Sequence, residues 1–186
     1  MCYKKMLVVI LPFICIACIA MIYNVNRVYP MPKDIFYTEG ETAVYKGLDI
    51  TIGELELYQN EQVQTVYPEI YSGFDSSGKD TDTNIIIANI KIKNTTDRKI
   101  SLRKEGIVTW SVEAAYVGND VDLSCFMMLN PEYTGSFEAG AELEVKLVYP
   151  IADRYLSWEK LNNSDIKVIY SYYPTKNYIL YEAKRR

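Results

Sequence analysis

Apolar and polar residues alternate along most of this chain, and no other feature of the sequence constrains its fold more. Residues 84–93 read NIIIANIKIK, in which every second residue from Ile86 to Ile92 is apolar. Residues 143–149 repeat the pattern, with Glu and Lys between apolar positions. A period of two is typical of β-strands with one buried face, because successive side chains point to opposite sides. The sequence therefore predicts sheets rather than a bundle of helices.

Two local features refine this prediction. Ile85 and Ile87 add an apolar patch on the other face of their strand, which predicts a central strand covered on both sides. Gly53 lies where the alternation changes phase between Ile52 and Leu55, which indicates a β-bulge within one long strand.

About seven strands at regular spacing are typical of an all-β fold, a two-sheet sandwich with Greek-key connections. The loop around Pro174 predicts that the last two segments form a hairpin. Two short stretches, 61–67 and 153–161, are predicted to be helical. The clearest predicted strands are residues 48–57, 84–93, 107–112, 143–149, 166–172 and 178–181.

The N-terminal segment has a different composition from the rest of the chain. Residues 6–23 (MLVVILPFICIACIAMIY) contain no charge, and as a helix they would span about 27 Å, enough to cross a hydrocarbon core. Lys4 and Lys5 precede this run and favour a cytoplasmic N-terminus, with the C-terminal domain outside the cell. The expected organisation is a cytoplasmic n-region at 1–5, a transmembrane anchor or signal segment at 6–23, a spacer at 24–34 and an extracytoplasmic β-sandwich domain at 35–186.

Three fates of this segment are open, and an uncleaved single-pass anchor in the cell membrane is the first. The second is signal-peptidase cleavage after Ala20 with release of a secreted protein, because Cys18 and Ala20 supply small residues at alternate positions. The third is lipoprotein processing at Cys18, because the small residue Ala17 precedes it. Against the third, Cys15 stands where a lipobox usually has leucine, and the chain stays apolar after Cys18.

Charge and cysteine content exclude further classes of protein. All 24 Asp and Glu lie beyond residue 30, so the domain is acidic, whereas nucleic-acid binding requires patches of Lys and Arg. We therefore expect no nucleic-acid partner and interpret the basic cluster 184–186 as a solvated tail. Cys125 is the one cysteine outside the N-terminal segment, so it cannot form a disulfide within the domain. We expect it to be a buried apolar residue, and export without disulfides favours a bacterial protein.

Catalytic chemistry has few candidates in this sequence. The chain contains no histidine, which removes Ser-His-Asp and Cys-His catalysis and most zinc and copper sites. The carboxylate pairs Glu54/Glu56 and Asp120/Asp122 lie at strand or turn spacing and are interpreted as solvated surface acids. The sequence therefore predicts no enzyme, no catalytic residue and no cofactor.

One candidate metal site precedes the most regular strand. Asp80, Asp82 and Asn84 place oxygen ligands at alternate positions, as at the start of an EF-hand loop. Ile85 stands where such a loop needs glycine, and no glutamate closes it. We therefore predict no bound metal and interpret the stretch as a polar loop that enters a strand.

Seventeen tyrosines are the remaining unusual feature of the composition. Strand propensity accounts for such enrichment without any ligand. Exposed aromatic rings nevertheless favour protein contacts or stacking on sugars. The candidate binding aromatics are Tyr67, Tyr71, Phe74, Tyr173, Tyr178 and Tyr181.

Three blocks of the sequence resemble a known family. Residues 45–51 (YKGLDIT) are similar to the first strand of Ig-like domains of unknown function on bacterial, mainly Gram-positive, surfaces. Residues 86–96, which end in KNTT, resemble their second block, and residues 137–142 resemble a turn in which Ala139 replaces the usual proline. The resemblance covers residues 35–183. It implies an immunoglobulin-like sandwich in a membrane-anchored surface protein, without catalytic residues.

Two functions of different classes follow from these observations. The first is a non-catalytic interaction module, anchored in the membrane and displayed outside the cell, that binds another cell-envelope protein. The alternative is a carbohydrate- or cell-wall-binding module that uses exposed tyrosines. The expected partners are the membrane, through residues 6–23, and an envelope component.

Overall fold

The chain forms two compact units in the computed structural model, Met1–Lys33 and Asp34–Arg186. The structure describes residues 2–30, 33–70 and 83–183. The first unit is helical and the second is built mainly from β-strands, as their apolar periodicities predict. Several predicted features lie outside the described residues: Asp80, Asp82, Tyr71, Phe74 and the basic cluster 184–186.

The first unit is a single long helix, α1, Cys2–Val28. Within it, Leu11–Val28 has a mean hydropathy of 1.6 over 18 residues, which is long and apolar enough to cross a membrane. Its described side chains from Leu11 onward are exposed. An apolar N-terminal helix suited to a signal anchor or a signal peptide is therefore present, and it is longer than the predicted 6–23.

The second unit contains two β-sheets. Sheet A has the strand order β1-β9-β8-β5-β6, and sheet B has the order β2-β3-β4-β7. Neighbours are antiparallel in the pairs β2–β3, β3–β4, β4–β7, β5–β6, β5–β8 and β8–β9. The strands are β1 Lys33–Tyr37, β2 Thr42–Tyr45, β3 Leu48–Tyr58, β4 Thr83–Asn94, β5 Ser111–Ala114, β6 Val117–Asp120, β7 Glu142–Ala152, β8 Ile166–Ser171 and β9 Thr175–Tyr181.

Short helices lie between the strands. They are α2 Asn60–Val66 after β3, a 3-10 helix Ile107–Thr109 before β5, α3 Leu123–Leu129 after β6 and α4 Trp158–Asn162 after β7. Helix α2 confirms the predicted stretch 61–67, whereas the predicted stretch 153–161 is helical only from Trp158 onward. Helix α3 was not predicted. Asp122 caps its N-terminus, where the Asp122 carboxylate accepts a hydrogen bond from the Cys125 N–H at 2.8 Å.

One hydrophobic core fills the space between the two sheets. It contains alternate residues of strands in both sheets, and this arrangement defines a β-sandwich. The two-sheet sandwich and the inward faces predicted from the period of two are therefore confirmed. Among the core residues are Ile86, Ala88, Ile90 and Ile92 of β4, Val145, Leu147 and Tyr149 of β7, Val112 of β5, Val168 of β8 and Ile179 of β9.

A second apolar cluster covers the outer face of sheet B. Ile85 and Ile87 of β4 contribute to it, together with Val148 of β7. Val63 of α2 and Cys125 of α3 cover them from outside. β4 is thus buried on both faces in its first half, as the double apolar pattern predicts.

Strand β3 contains the predicted bulge. Its register with β4 shifts between Ile52 and Leu55, so one extra residue is accommodated on β3. The residues on both sides of the shift still face the core, since Ile52 is buried and Leu55 is half-buried against the same cluster. Gly53 therefore keeps the apolar face of one long strand directed inward.

Close packing at this bulge predicts an effect of substitution. A Cβ on Gly53 would lie 2.8 Å from the backbone oxygen of Asn89, closer than real Cβ atoms come to backbone. We expect Gly53→Ala to lower the free energy of unfolding by about 1–3 kcal/mol in urea denaturation. Gly118→Ala is the matched control, because the nearest atom would be 3.4 Å away. Equal losses in the two variants would contradict the close approach.

The predicted strand 107–112 is wrong in its first half. Residues 107–109 form a 3-10 helix, and β5 begins only at Ser111. Gly106 enters this turn in the left-handed region, with a φ of 82°, which glycine adopts without steric cost. The consecutive residues Ile107 and Val108 are both buried, which a turn allows and a strand with one buried face does not.

The predicted C-terminal hairpin is present. β8 pairs with β9 from Ile166↔Tyr181 to Ser171↔Asn177, with an irregularity after Ile169. β9 begins at Thr175, three residues earlier than the sequence indicates. The connecting loop is therefore shorter than predicted and contains Pro174.

Candidate functional site

A cleft of about 720 Å³ opens where β3 of sheet B faces β9 of sheet A. We call it the edge cleft. Leu55, Leu57 and Trp158 line it and are half-buried against the sandwich core, so part of that core reaches solvent here. Beside the cleft, the Tyr181 hydroxyl donates a hydrogen bond to the Gly53 carbonyl at 3.3 Å and joins the two sheets.

The edge cleft borders an unpaired edge of β3. β2 pairs with β3 up to Thr51, and two further backbone hydrogen bonds join Ile52 to Gly40 and Glu41, at 2.8 and 2.9 Å. After the bulge, β3 pairs with β4 on one side over residues 55–58, and none of the described strands pairs with its other side from residue 53 onward. Backbone N–H and C=O groups of an edge strand are available to pair with another chain.

The rim of the edge cleft is acidic. Glu39, Glu54 and Glu182 are exposed there, and no Lys or Arg is among the described residues that line the cleft. Within the described part of the chain, none of these three carboxylates forms an ion pair or hydrogen bond. Glu142 of β7, by contrast, is paired with Lys91 at 2.5 Å. Among the described residues, the edge cleft therefore combines an apolar floor with three carboxylates that have no cationic partner.

A second cleft, of about 620 Å³, lies on the outer face of sheet B beside a polar network. We call this network the Glu56 cluster; it consists of Glu56, Tyr58, Tyr67, Asn89 and Lys146. Tyr58 and Tyr67 donate to Glu56 Oε2 at 2.5 and 2.9 Å, and Asn89 donates to Oε1 at 2.7 Å. Lys146 Nζ donates to the Tyr67 hydroxyl at 2.8 Å and lies 3.8 Å from Glu56 Oε1.

These contacts keep Glu56 ionised. Burial acts to raise the pKa of Glu56, but hydrogen bonds from Tyr58, Asn89 and Tyr67 and the charge of Lys146 together lower that pKa below its usual value of 4.5. Burial and the hydrogen bond to Glu56 raise the pKa of Tyr67 to about 12, so its phenol remains a donor. Near neutral pH, Glu56 therefore accepts hydrogen bonds as a carboxylate and Tyr67 donates one as a neutral phenol. The hydrogen bonds of the Glu56 cluster hold the end of α2 against sheet B.

The lowered pKa of Glu56 predicts a pH dependence of stability. Since its folded pKa lies below the unfolded value, ionised Glu56 stabilises the fold above pH 4.5, and this contribution is lost as pH falls through the folded pKa. We expect Glu56→Gln to cost about 1–2 kcal/mol at pH 7 and progressively less toward pH 3, measured by urea unfolding at each pH.

The exposed Glu132 supplies the control for this measurement. Glu132→Gln removes the same charge without removing a hydrogen bond that holds the fold, so its effect should be small at every pH. A cost of Glu56→Gln that stays constant from pH 7 to pH 3 would contradict the role of the ionised carboxylate.

Glu56 corrects the interpretation of the carboxylate pairs as solvated surface acids. Its side chain is 17% exposed, and its four partners come from β3, β4, β7 and the end of α2, positions that sequence spacing does not connect. Glu54 and Asp120 are exposed, as expected, and Asp122 caps α3. The position of Glu56 between Leu55 and Leu57 predicts that its side chain faces outward. It does not predict that helix α2 covers that face of the sheet.

The candidate binding aromatics have different environments. Tyr67 belongs to the Glu56 cluster, and Tyr173 is exposed in the last hairpin. Tyr178 and Tyr181 are buried, so neither is an exposed aromatic. Tyr178 stacks on Phe36 with ring centroids 5.8 Å apart, and Tyr181 completes the core while lining the edge cleft.

The described member of the candidate calcium loop serves the fold. Asn84 is buried, and its amide donates to Asp153 Oδ1 at 3.1 Å and to the Leu156 carbonyl at 3.0 Å. These bonds hold the segment after β7 against β4. In the parts of the chain that the structure describes, no three His, Cys, Asp or Glu side chains are grouped so that they could hold a metal ion.

The cysteines also have distinct positions. Cys125 is buried in the outer cluster of sheet B, as predicted. Burial first, and then the charge of Asp122, raise the pKa of the Cys125 thiol to about 12, so it stays protonated and unreactive. Cys18, the residue named for lipidation, lies within α1.

The fold and these sites define a β-sandwich domain that follows an apolar N-terminal helix. The chain belongs to the family described as a domain of unknown function, DUF5028, which matches residues 20–177. This match confirms the part of the resemblance that placed the chain among domains of unknown function. No curated protein matches the chain.

Several bacterial crystal structures are similar to this chain. A β-sandwich protein from Clostridium difficile 630 is 14% identical, with 81% of this chain and 96% of that chain covered and a TM-score of 0.49. A functionally unknown protein from Listeria monocytogenes EGD-e is 17% identical, with 77% and 82% covered and a TM-score of 0.49. A conserved hypothetical protein from Bacillus anthracis is 16% identical, with 76% and 94% covered and a TM-score of 0.44.

Proposed function

We propose that this protein is a non-catalytic interaction module, anchored in the membrane, whose extracytoplasmic sandwich binds another protein of the cell envelope. The observation that carries the proposal is the edge cleft. There, the half-buried Leu55 and Leu57 lie beside an edge of β3 that pairs with no other described strand. Apolar side chains and free backbone groups at one surface suit a protein partner, because a sheet edge can form main-chain hydrogen bonds with another chain.

Helix α1 supports the membrane anchor in this proposal. Leu11–Val28 has the length and hydropathy of a membrane span, and Lys4 and Lys5 precede it. Basic residues before a span favour a cytoplasmic N-terminus, which leaves the sandwich outside. A secreted protein cut after Ala20 and a lipoprotein attached at Cys18 are the alternatives.

Intact-mass measurement of the protein purified from its own membranes tests the anchor. We expect a retained N-terminal segment, with a mass near the 21.4 kDa of the whole chain, and no diacylglycerol. A chain that starts at Met21 would establish cleavage and release instead. An acylated chain that starts at Cys18 would establish a lipoprotein.

We also propose that the sandwich is immunoglobulin-like. The order β9-β8-β5-β6 in sheet A corresponds to strands G-F-C-C′ of a variable-type domain, and β3-β4-β7 in sheet B corresponds to A-B-E. Trp110, buried immediately before β5, occupies the place of the core tryptophan of strand C. An experimental structure in which β7 lay beside β8 rather than β4 would overturn this assignment.

Site-specific photo-crosslinking in the native cells tests the interaction module. A photoreactive residue in place of Glu54, on the rim of the edge cleft, is expected to form an adduct of defined mass with an envelope protein. The control position is Tyr116, which is 70% exposed in the turn between β5 and β6 and does not line the edge cleft. Adducts from Tyr116 alone would move the site. Their absence from both positions would contradict the proposal.

A second candidate, binding of cell-wall polymer, is favoured by the last hairpin. Tyr172 and Tyr173 are 54% and 55% exposed on adjacent residues, and exposed aromatic rings suit stacking on sugars. Sedimentation with peptidoglycan distinguishes this function. Retention on the polymer that is lost in Tyr173→Ala, and kept in Tyr116→Ala, would favour it over a protein partner.

A further inference from the structure

The shape of the edge cleft specifies what could occupy it. Its floor contains Leu55 and Leu57, which point between the sheets, and it is bordered by the side of β3 that no described strand pairs with over residues 54–58, next to the Gly53 carbonyl that bonds to Tyr181. Glu54 and Glu56 alternate with these leucines and point away from the core. A strand added beside β3 would follow the same alternation, because its side chains also point to opposite faces.

The charges around the cleft then specify the side chains of such a strand. The negative charge of Glu56 is already compensated by Lys146 and by its hydrogen-bond donors. The carboxylates of Glu39, Glu54 and Glu182 have no partner within the described residues. Complementary charge strengthens and orients association, and three free carboxylates favour a cationic partner.

We propose that the edge cleft binds an extended peptide segment of a partner protein that adds to β3 as a strand and alternates apolar with basic side chains. The apolar residues enter the space beside Leu55 and Leu57, and the basic residues face Glu54 and the rest of the acidic rim. The proposal rests on the proposed function as a protein-interaction module. It adds the binding mode and the chemistry of the bound segment.

A second copy of this chain fits the same edge poorly. Two β3 edges paired with each other would place Glu54 of each copy against the acidic rim of the other, and like charges opposite each other in a sheet are destabilising. Two identical chains that pair through the same edge are related by a two-fold axis. Each cleft would then be occupied by β3 of the other copy, which is itself acidic. A basic strand from a different protein meets neither difficulty.

Binding of a designed probe tests the proposal on the full chain in nanodiscs of phosphatidylcholine, a neutral lipid that does not attract cationic peptides. The probe is a fluorescent peptide with blocked termini in which valine and lysine alternate. It is long enough to pair with residues 53–58 of β3. We expect it to bind at least about tenfold more tightly than the same peptide with glutamate in place of lysine. Hydrogen exchange should show new protection of backbone amides within 53–58 when the probe is bound.

Two comparisons separate strand addition from general attraction. A probe with prolines at central positions keeps its charge but cannot form the ladder, and it should bind at least about tenfold more weakly. Glu54→Lys should weaken binding of the parent probe by a similar factor. Glu132→Lys changes the net charge equally at an exposed site outside the edge cleft, and it should leave binding nearly unchanged.

Each result decides the question. Equal binding of the parent and proline probes, or equal effects of Glu54→Lys and Glu132→Lys, would overturn strand addition at this edge, and so would an absence of binding. Thermal unfolding of both variants checks that they remain folded. If crosslinking from Glu54 captures an envelope protein while the probe fails, the peptide mode is wrong and the interaction module stands. If the probe binds and no protein is captured, the interaction module loses its support.

Discussion

Replacement of Phe126 by alanine is expected to lower the free energy of unfolding by about 3–5 kcal/mol, the range for truncating a buried aromatic side chain. Phe126 lies on α3, and its side chain is fully buried in the core between the sheets. Its ring meets that of Tyr133 edge to face, with centroids 5.7 Å apart. The variant loses the transfer free energy of the ring and gains a cavity that rigid strands cannot refill. Since domains are stable by only about 5–15 kcal/mol, much of the total would be lost.

Met127 supplies the matched control on the same helix. It is 47% exposed, so Met127→Ala removes a large side chain without opening a cavity in the core. We expect that substitution to change stability by less than about 0.5 kcal/mol. Urea unfolding can be followed by tryptophan fluorescence, because Trp110 lies in the same core. Similar losses of unfolding free energy in the two variants would mean that the Phe126 side chain of α3 is not packed in the sandwich core.

The sequence predicts the sandwich well where one physical rule decides the outcome. In β4 and β7, alternation alone assigns the inner face, and burial of Ile90 and Leu147 confirms it. At Gly53, the phase change could be recognised because glycine is the residue that a close backbone approach requires. The second apolar face of β4 was also predictable from the sequence, because Ile85 and Ile87 require burial on the side opposite the core.

Helix α3 and the Glu56 cluster could not be predicted in the same way. Residues 123–129 (LSCFMML) are mostly apolar, and seven residues are too few to distinguish a helical period from a strand. Their burial depends on two surfaces, because Phe126 enters the core and Cys125 the outer cluster. The Glu56 cluster joins residues up to 90 positions apart, so its hydrogen bonds exist only after the sheet has formed. Tertiary contacts decide both features.

The edge cleft depends on both kinds of information. Alternating Leu55 and Leu57 predicts an inward face for this part of β3, but it does not predict that β2 stops pairing at Ile52. The free edge arises because the chain turns at Gly40, which the structure holds with a φ of 85°. Because β2 is shorter than β3, the second half of β3 has a free edge and is a candidate binding surface.

Asn94 is the buried polar residue on which two turns depend. Its side-chain oxygen accepts hydrogen bonds from the Thr96 N–H at 3.0 Å and the Thr96 hydroxyl at 2.6 Å. Its amide donates to the carbonyls of Arg98 at 2.7 Å and Glu138 at 3.0 Å. These four bonds join the turn that follows β4 to the turn that precedes β7. They also give a physical reason for the asparagine in the KNTT block of the sequence.

Substitution of Asn94 by alanine is expected to lower the free energy of unfolding by about 2–4 kcal/mol, since a fully buried amide is removed and its partners lose their bonds. The former partners of the Asn94 amide would be buried without a hydrogen bond, which destabilises the fold by more than each hydrogen bond contributes. Water cannot replace the amide, because Asn94 is 0% exposed. Asn163→Ala is the control, because the exposed Asn163 donates one bond, to Glu159 at 2.7 Å, where water can substitute. Urea unfolding of both variants measures the difference. A loss for Asn94→Ala within about 0.5 kcal/mol of the control would mean that its four hydrogen bonds do not hold the two turns together.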